Sequence, residues 1–177
     1  MVLKVTQPIF PKIVKQLSLI RLDVLHHRGI LGVILDLDNT IVSEDDRYLS
    51  PHFETWIARA KAQGIKFFIL SNGKRRYRVE YWSHRLDIPA LSPARKPLFG
   101  FRKALKHLQL KPEQAIAIGD SRHTDVLGAW LVGCPCIQVA SLPHPPRWWE
   151  HLLGRWVQVP YPDKHELWSF DASLENL

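Results

Sequence analysis

Residues 30–40 read Ile30-Leu31-Gly32-Val33-Ile34-Leu35-Asp36-Leu37-Asp38-Asn39-Thr40. A short apolar, β-branched run that stops at a carboxylate predicts a fully buried strand, the kind found inside a parallel sheet. Two aspartates one residue apart follow directly. Burial and like-charge proximity both disfavour their ionisation, so something cationic must offset them. Mg²⁺ suits the task, because it prefers oxygen ligands and binds through one or two carboxylates plus substrate phosphate. Asp and Asn also favour turns and helix N-caps. Asp-x-Asp alone therefore leaves both readings open.

The alternation continues toward the C-terminus. A helix is expected over residues 51–63, with Phe53, Trp56, Ile57 and Ala60 on one face. Strands are expected at 66–70, 89–91, 115–118 and 136–139, and helices at 75–85, 98–108 and 125–131. Strands alternating with helices imply βαβ units: an α/β, Rossmann-like fold, mostly parallel, with helices on both faces. Ligands of such sheets bind beyond the carboxyl ends of the strands. The connections after Asp36 and after Ser71 are too short for a large cap domain, so an open site is expected.

Three further polar blocks fall where such a site would lie. Ser71-Asn72-Gly73 ends the second strand, where a hydroxyl and backbone amides can hold a phosphoryl oxygen. Lys96, in Ala94-Arg95-Lys96-Pro97, can neutralise the same group. Asp120 follows the strand at 115–118 and can give the metal a second carboxylate. Asp125 can bind a metal water, orient Lys96, or simply cap a helix. Each signal is commonplace by itself; together they come in one order, each after an expected strand.

In that order the blocks resemble the four motifs of the haloacid dehalogenase (HAD) superfamily, over about residues 31–139. The resemblance implies that Asp36 attacks phosphorus, while Asp38 protonates the leaving oxygen and then activates water. It implies that Asp36, the Asp38 carbonyl and Asp120 hold Mg²⁺. Thr40, Ser71, Asn72 and Lys96 would bind the phosphoryl group, and Asp125 would orient Lys96 or stand behind the metal. A carboxylate nucleophile divides hydrolysis into two displacements through an aspartyl phosphate. The second aspartate favours a phosphatase over a dehalogenase, since an alkoxide leaving group needs a proton.

The phrases Arg28-Gly29-Ile30, Ala94-Arg95-Lys96-Pro97 and Thr124-Asp125-Val126-Leu127-Gly128 are similar to those of capless type IIIA, YqeG-like phosphatases. That group includes phosphatidylglycerophosphate phosphatases, which make phosphatidylglycerol. The chain departs from it at Ser121-Arg122-His123, where the group more often has Gln, an apolar residue and Phe. His123 is a further candidate for substrate contact.

Composition bounds the rest. At 177 residues, 46% hydrophobic, the chain fits one domain with a substantial core. No apolar run approaches the roughly 20 residues that span a bilayer, and no signal-peptide pattern opens the chain. Two cysteines, Cys134 and Cys136, suit a reducing, cytoplasmic compartment. The net charge is +7, and the excess lies before Ser141, where residues sum to +9; from there on three Lys/Arg face five Asp/Glu. A basic body suits an anionic partner, whether phosphorylated metabolite, nucleic acid or acidic membrane surface, and charge alone picks none of these. The partner expected on the resemblance is a phosphorylated substrate, a lipid head group at an anionic membrane surface, with no specific nucleic acid.

Three segments are expected: an amphipathic basic segment at 1–29, a phosphatase core at 30–140, and an aromatic, proline-containing tail at 141–177 packed on that core. Ile13, Leu17, Ile20 and Val24 form a helix-like stripe, suited to packing on the sheet or to an anionic membrane surface. Trp148, Trp149, Trp156 and Trp168, with Arg147 and Arg155, suit a membrane interface, nucleic-acid stacking or a buried tail. These flanks make peripheral membrane contact a reading to test. A soluble sugar phosphate, nucleotide or nucleic-acid end is the rival substrate class, and a catalytically idle scaffold the rival function. Oligomeric state is not legible.

Overall fold

In β2 (Gly32–Asp36) every residue is buried, and alternate side chains enter two separate cores. Val33 and Leu35 join one with Phe67, Ile69, Ile116 and Ile118; Ile34 joins the other with Phe68, Leu70, Ala115 and Ala117. The structure, a computed structural model, describes residues 12–146, 148 and 150–167. The other strands are β1 (Lys12–Val14), β3 (Lys66–Leu70), β4 (Ala90–Leu91), β5 (Ala115–Gly119) and β6 (Cys136–Val139). All pair in parallel, in the order β1-β6-β5-β2-β3-β4.

Helices cover both faces. α1 (Leu22–His27), α2 (Phe53–Ala62) and α3 (Arg76–Leu86) bury Leu25, Trp56, Ile57, Val79 and Trp82 in the first core. α4 (Phe99–Leu108) and α5 (Leu127–Val132) bury Phe101, Ala104, Leu105 and Ala129 in the second. A Cβ on Gly128 would sit 2.4 Å from the Pro97 carbonyl oxygen and 2.3 Å from the Phe101 ring. Only glycine lets α5 lie this close to the segment carrying Lys96. The chain leaves β2 for β3 and β4 on one side, then crosses to β5 and β6 on the other. That reversal opens a crevice at the carboxyl ends of β2 and β5.

The N-terminal stripe is not one helix. Lys12–Val14 forms the edge strand β1 against β6, a 3₁₀ turn follows at Leu17–Leu19, and α1 starts at Leu22. Leu17 and Ile20 are buried, whereas Ile13 and Val24 are 45% and 39% exposed. The unpaired edge of β6 supplies ladder partners that a surface helix would forgo, and Trp56 Nε1 ties the turn down by donating to the Ile20 carbonyl at 2.7 Å. The expected 125–131 helix is likewise divided: a π-helical turn, Arg122–Val126, precedes α5.

Beyond β6 the chain returns to the sheet's carboxyl end. Leu142 N donates to the Asn39 carbonyl at 2.9 Å and Ser141 N to the Val159 carbonyl at 2.7 Å. Ala140, Leu142, Tyr161 and Leu167 form a small third core. Between these strips lies the short helix α6 (Glu150–Leu153), with Trp148 and Trp156 77% and 76% exposed beside it. Arg147, Trp149, Trp168 and residues 1–11 lie outside the described residues, so the readings placed on them receive no structural account.

Candidate active site

Asp36 is the last residue of β2 and is 5% exposed. Its Oδ1 accepts from Lys96 Nζ at 2.5 Å and its Oδ2 from Thr40 Oγ1 at 3.0 Å. Thr40 is brought there by the turn in which Ile41 N donates to the Leu37 carbonyl. Lys96 also donates to Asp125 Oδ1 at 2.7 Å, and its backbone N–H is fixed by Asn72 Oδ1 at 3.0 Å. One ammonium is thus clamped between two carboxylates of different loops. Burial alone would lower the Lys96 pKa; Asp125 and Asp36 more than reverse this and raise it.

Asp38 lies apart. Its Oδ2 accepts from Ser71 Oγ at 2.6 Å, and its Oδ1 from Arg78. The two aspartates of the Asp-x-Asp pair therefore face one cavity with different partners.

Asp120 completes the group. Ser141 Oγ and Gln158 Nε2 both donate to its Oδ2, at 2.7 and 2.6 Å, and Gln138 Nε2 holds its carbonyl at 2.8 Å. Carboxylate oxygens of Asp36, Asp120 and Asp125 lie within 4.8 Å of one another, all buried. A Cβ on Gly119 would fall 2.4 Å from Asp125 Cγ, so this glycine makes room for the third carboxylate. Burial pushes Asp36 well above its ordinary value; Lys96 opposes that, and the neighbouring carboxylates reinforce it. Asp120 is pushed up to about 7, by burial and then Asp125, with Ser141, Lys96 and Gln158 pulling it back.

Three converging carboxylates facing one ammonium form an over-charged, all-oxygen donor set. This fits a hard divalent cation. Asp125 belongs to the triad, and the Asp38 carboxylate does not, being taken by Ser71 and Arg78. The reading of Asp38 as a metal residue rests on its carbonyl.

A cavity of about 550 Å³ opens over the group, lined also by Asn72, Lys74, Arg75 and His123. Every site residue named from the sequence except Thr40 and Ser71 lines it, and those two bond to Asp36 and Asp38 beneath. His123 Nδ1 lies 2.8 Å from Ser121 Oγ. Sequence reasoning missed Arg78, Ser141 and Gln158. Only Arg78 left a trace, its i+1 and i+4 neighbours Val79 and Trp82 marking a buried face of α3.

A capless α/β hydrolase, its carboxylates gathered at the strand ends, is the class that fold and site define. A family model described as haloacid dehalogenase-like hydrolase matches residues 19–133. The chain belongs to that family. It is 40% identical over 116 residues to a Bacillus subtilis (strain 168) protein named "Probable phosphatase YqeG", covering 65% of this chain and 67% of that one. The cobalt-bound deoxy-D-mannose-octulosonate 8-phosphate phosphatase YrbI of Haemophilus influenzae superposes with a TM-score of 0.51 at 15% identity, covering 70% of this chain and 75% of its own. A Listeria monocytogenes serotype 4b protein gives 0.50 at 20% identity, over 63% and 78%. At such identities the two structures share the fold.

Proposed function

We propose that this phosphatase hydrolyses phosphomonoesters with Mg²⁺ bound, through a phosphoryl group carried transiently on Asp36, and that its substrate is phosphatidylglycerophosphate. The observation that carries the reaction is the division of labour between Asp36, held by Lys96 and Thr40, and Asp38, held by Ser71. An Asp36 oxygen attacks phosphorus while the ester P–O bond breaks, and Asp38 gives the leaving alkoxide its proton. Water then attacks the phosphorus of the aspartyl phosphate, Asp38 takes back a proton, and phosphate leaves with Asp36 restored.

Asp36, the Asp38 carbonyl and Asp120 would hold Mg²⁺, with Asp125 orienting Lys96 and close enough to hold a metal water. The ion supplies charge neutralisation for the phosphoryl oxygens. Thr40, Ser71, Asn72 and Lys96 bind the phosphoryl group. Residues 30–140 carry the chemistry, and Ser141 and Gln158 of the segment that follows brace it.

The lipid assignment is supported by the motif wording shared with type IIIA phosphatases, the basic body and the open cavity. Trp148, Leu152, Leu153 and Trp156 add an exposed apolar stretch suited to peripheral contact with an anionic membrane from the cytoplasm. Among the described residues no helix is long and apolar enough to cross a membrane. The test is phosphate release from phosphatidylglycerophosphate in mixed vesicles with Mg²⁺, beside soluble phosphomonoesters, EDTA and Asp36→Asn. Mg²⁺-dependent release from the lipid, absent in the variant and weak for soluble esters, is expected. Release from soluble esters alone keeps the mechanism and removes the lipid. Release from none returns the chain to the idle-scaffold reading.

A further inference from the structure

Arg78 closes the basic run Lys74-Arg75-Arg76-Tyr77-Arg78 in the first turn of α3, yet it is 5% exposed. Its guanidinium donates to Asp38 Oδ1, to Asp46 Oδ1 at 2.5 Å through Nε, and to the Ser43 carbonyl at 2.7 Å. A longer contact, 3.4 Å, reaches the Val42 carbonyl. Arg75, one helical turn back, donates to Asp46 Oδ2 at 3.2 Å and to the Glu44 carbonyl. Among the described residues, Arg78 has no hydrogen bond to Asp36, Lys96, Asp120 or Asp125.

Burying a guanidinium is unfavourable unless its charge and donors are matched. A loop-pinning role would need only Asp46 and the two carbonyls. The bond to Asp38 goes further, because it consumes one oxygen of the carboxyl group while Ser71 holds the other. Asp38 belongs to the segment after β2, but α3 and the end of β3 fix its carboxyl plane.

We infer that Arg78 is a positioning residue that acts through Asp38, stationing its carboxyl group over the leaving-group side of the cavity and coupling that placement to the loop at residues 42–46. The inference rests on the acid/base role proposed above for Asp38. Without Arg78 the carboxyl group keeps its chain position and its Ser71 bond but turns about that single restraint. Protonation of the leaving oxygen then becomes inefficient, while attack by Asp36 is unaffected. A residue serving stability alone would slow all substrates alike.

The leaving group separates these outcomes. With the intact chain and Mg²⁺, kcat/KM is measured for phenyl, 4-chlorophenyl and 4-nitrophenyl phosphate, because kcat/KM reports the step in which the ester bond breaks. Wild type, Asp38→Asn, Arg78→Met, Arg78→Lys and Asp46→Asn are compared, each with a thermal melt. General-acid assistance is worth about 10²–10⁴-fold, so Asp38→Asn should show a much steeper loss on the poorer leaving groups. Arg78→Met should reproduce that steepening, losing roughly tenfold or more on phenyl phosphate and several-fold less on 4-nitrophenyl phosphate. Arg78→Lys should lie between it and wild type. Asp46→Asn, which removes the guanidinium's second carboxylate partner, should melt lower and shift the leaving-group dependence in the same direction as Arg78→Met, but less far.

A wild-type dependence in Arg78→Met beside a steep one in Asp38→Asn overturns the inference. Should Arg78→Met fail to fold, Arg78→Lys decides on the same comparison. A wild-type dependence in Asp38→Asn removes the acid/base reading itself, and the positioning role with it.

Discussion

The side-chain amide of Gln158 donates to Asp120 Oδ2 at 2.6 Å, reaching the candidate metal site from the segment after α6. Ser141 Oγ meets the same oxygen at 2.7 Å. Asp36 and Asp125 each have a partner close in sequence, whereas the third carboxylate of the triad is oriented by residues that lie beyond β6.

Removing those donors should be felt first as metal affinity. Groups that orient a metal ligand are typically worth 10–100-fold in affinity. Gln158→Ala should raise the Mg²⁺ concentration for half-maximal activity by roughly tenfold, with Ser141→Ala acting in the same direction. Rates at saturating Mg²⁺ should stay near wild type. A Mg²⁺ titration of phosphate release checks this, and an unchanged midpoint in both variants counts against the orienting role.

The carboxylate triad should make the metal-free protein sensitive to pH in an unusual direction. Asp120 is raised to about 7, and Asp36 is raised as well. In the unfolded chain both would ionise near 4. Between those values the folded state binds more protons than the unfolded state, so stability falls as pH rises. In EDTA the melting temperature attributable to this site should decline from about pH 4 toward pH 7. Mg²⁺ should restore more stability at pH 7.5 than at pH 5, which differential scanning fluorimetry reads directly.

Gly119→Ala tests the close approach under Asp125. The added methyl group would meet Asp125 Cγ and Oδ2 at 2.4 and 2.5 Å, so the carboxylate must move and release Lys96. A displacement of this size at a reacting group is worth about a hundredfold in rate. A large drop in kcat, with the circular-dichroism spectrum retained, is expected; wild-type turnover would show that Asp125 has room to give.

The two cysteines should be inert in the native protein. Burial pushes Cys134 up to about 12, and Cys136, half-buried with Asp125 nearby, is raised as well. Thiolate is the reactive form, so iodoacetamide at pH 8 should label neither residue until denaturant is added. Mass spectrometry before and after unfolding measures this.

Much of the frame was legible because it is written in local signals. β2, β3 and β5 are apolar runs stopped by Asp36, Ser71 and the Gly119-Asp120 pair, and the strand ends deliver those residues to one place. β1 was not legible: Lys12, Ile13 and Val14 have no strand pattern of their own, and they pair only because β6 leaves an edge. Arg78 was hidden by its neighbours, since Lys74, Arg75 and Arg76 make the stretch read as solvated. Its burial comes from Asp38 and Asp46, acids supplied by another loop. Ser141 and Gln158 carry no periodicity or motif, and their role exists only where the tail folds back.

The edge position of β1 also bears on how the chain assembles as it leaves the ribosome. Its ladder partner, β6, is the last of the described strands to be synthesised. Pairing across such a sequence separation is slow, because loop closure precedes any reward. A nascent chain can therefore stack β2 and β3 early while Lys12–Val14 waits, exposed beside them. Among the described strands, the first to be made is the last to be paired.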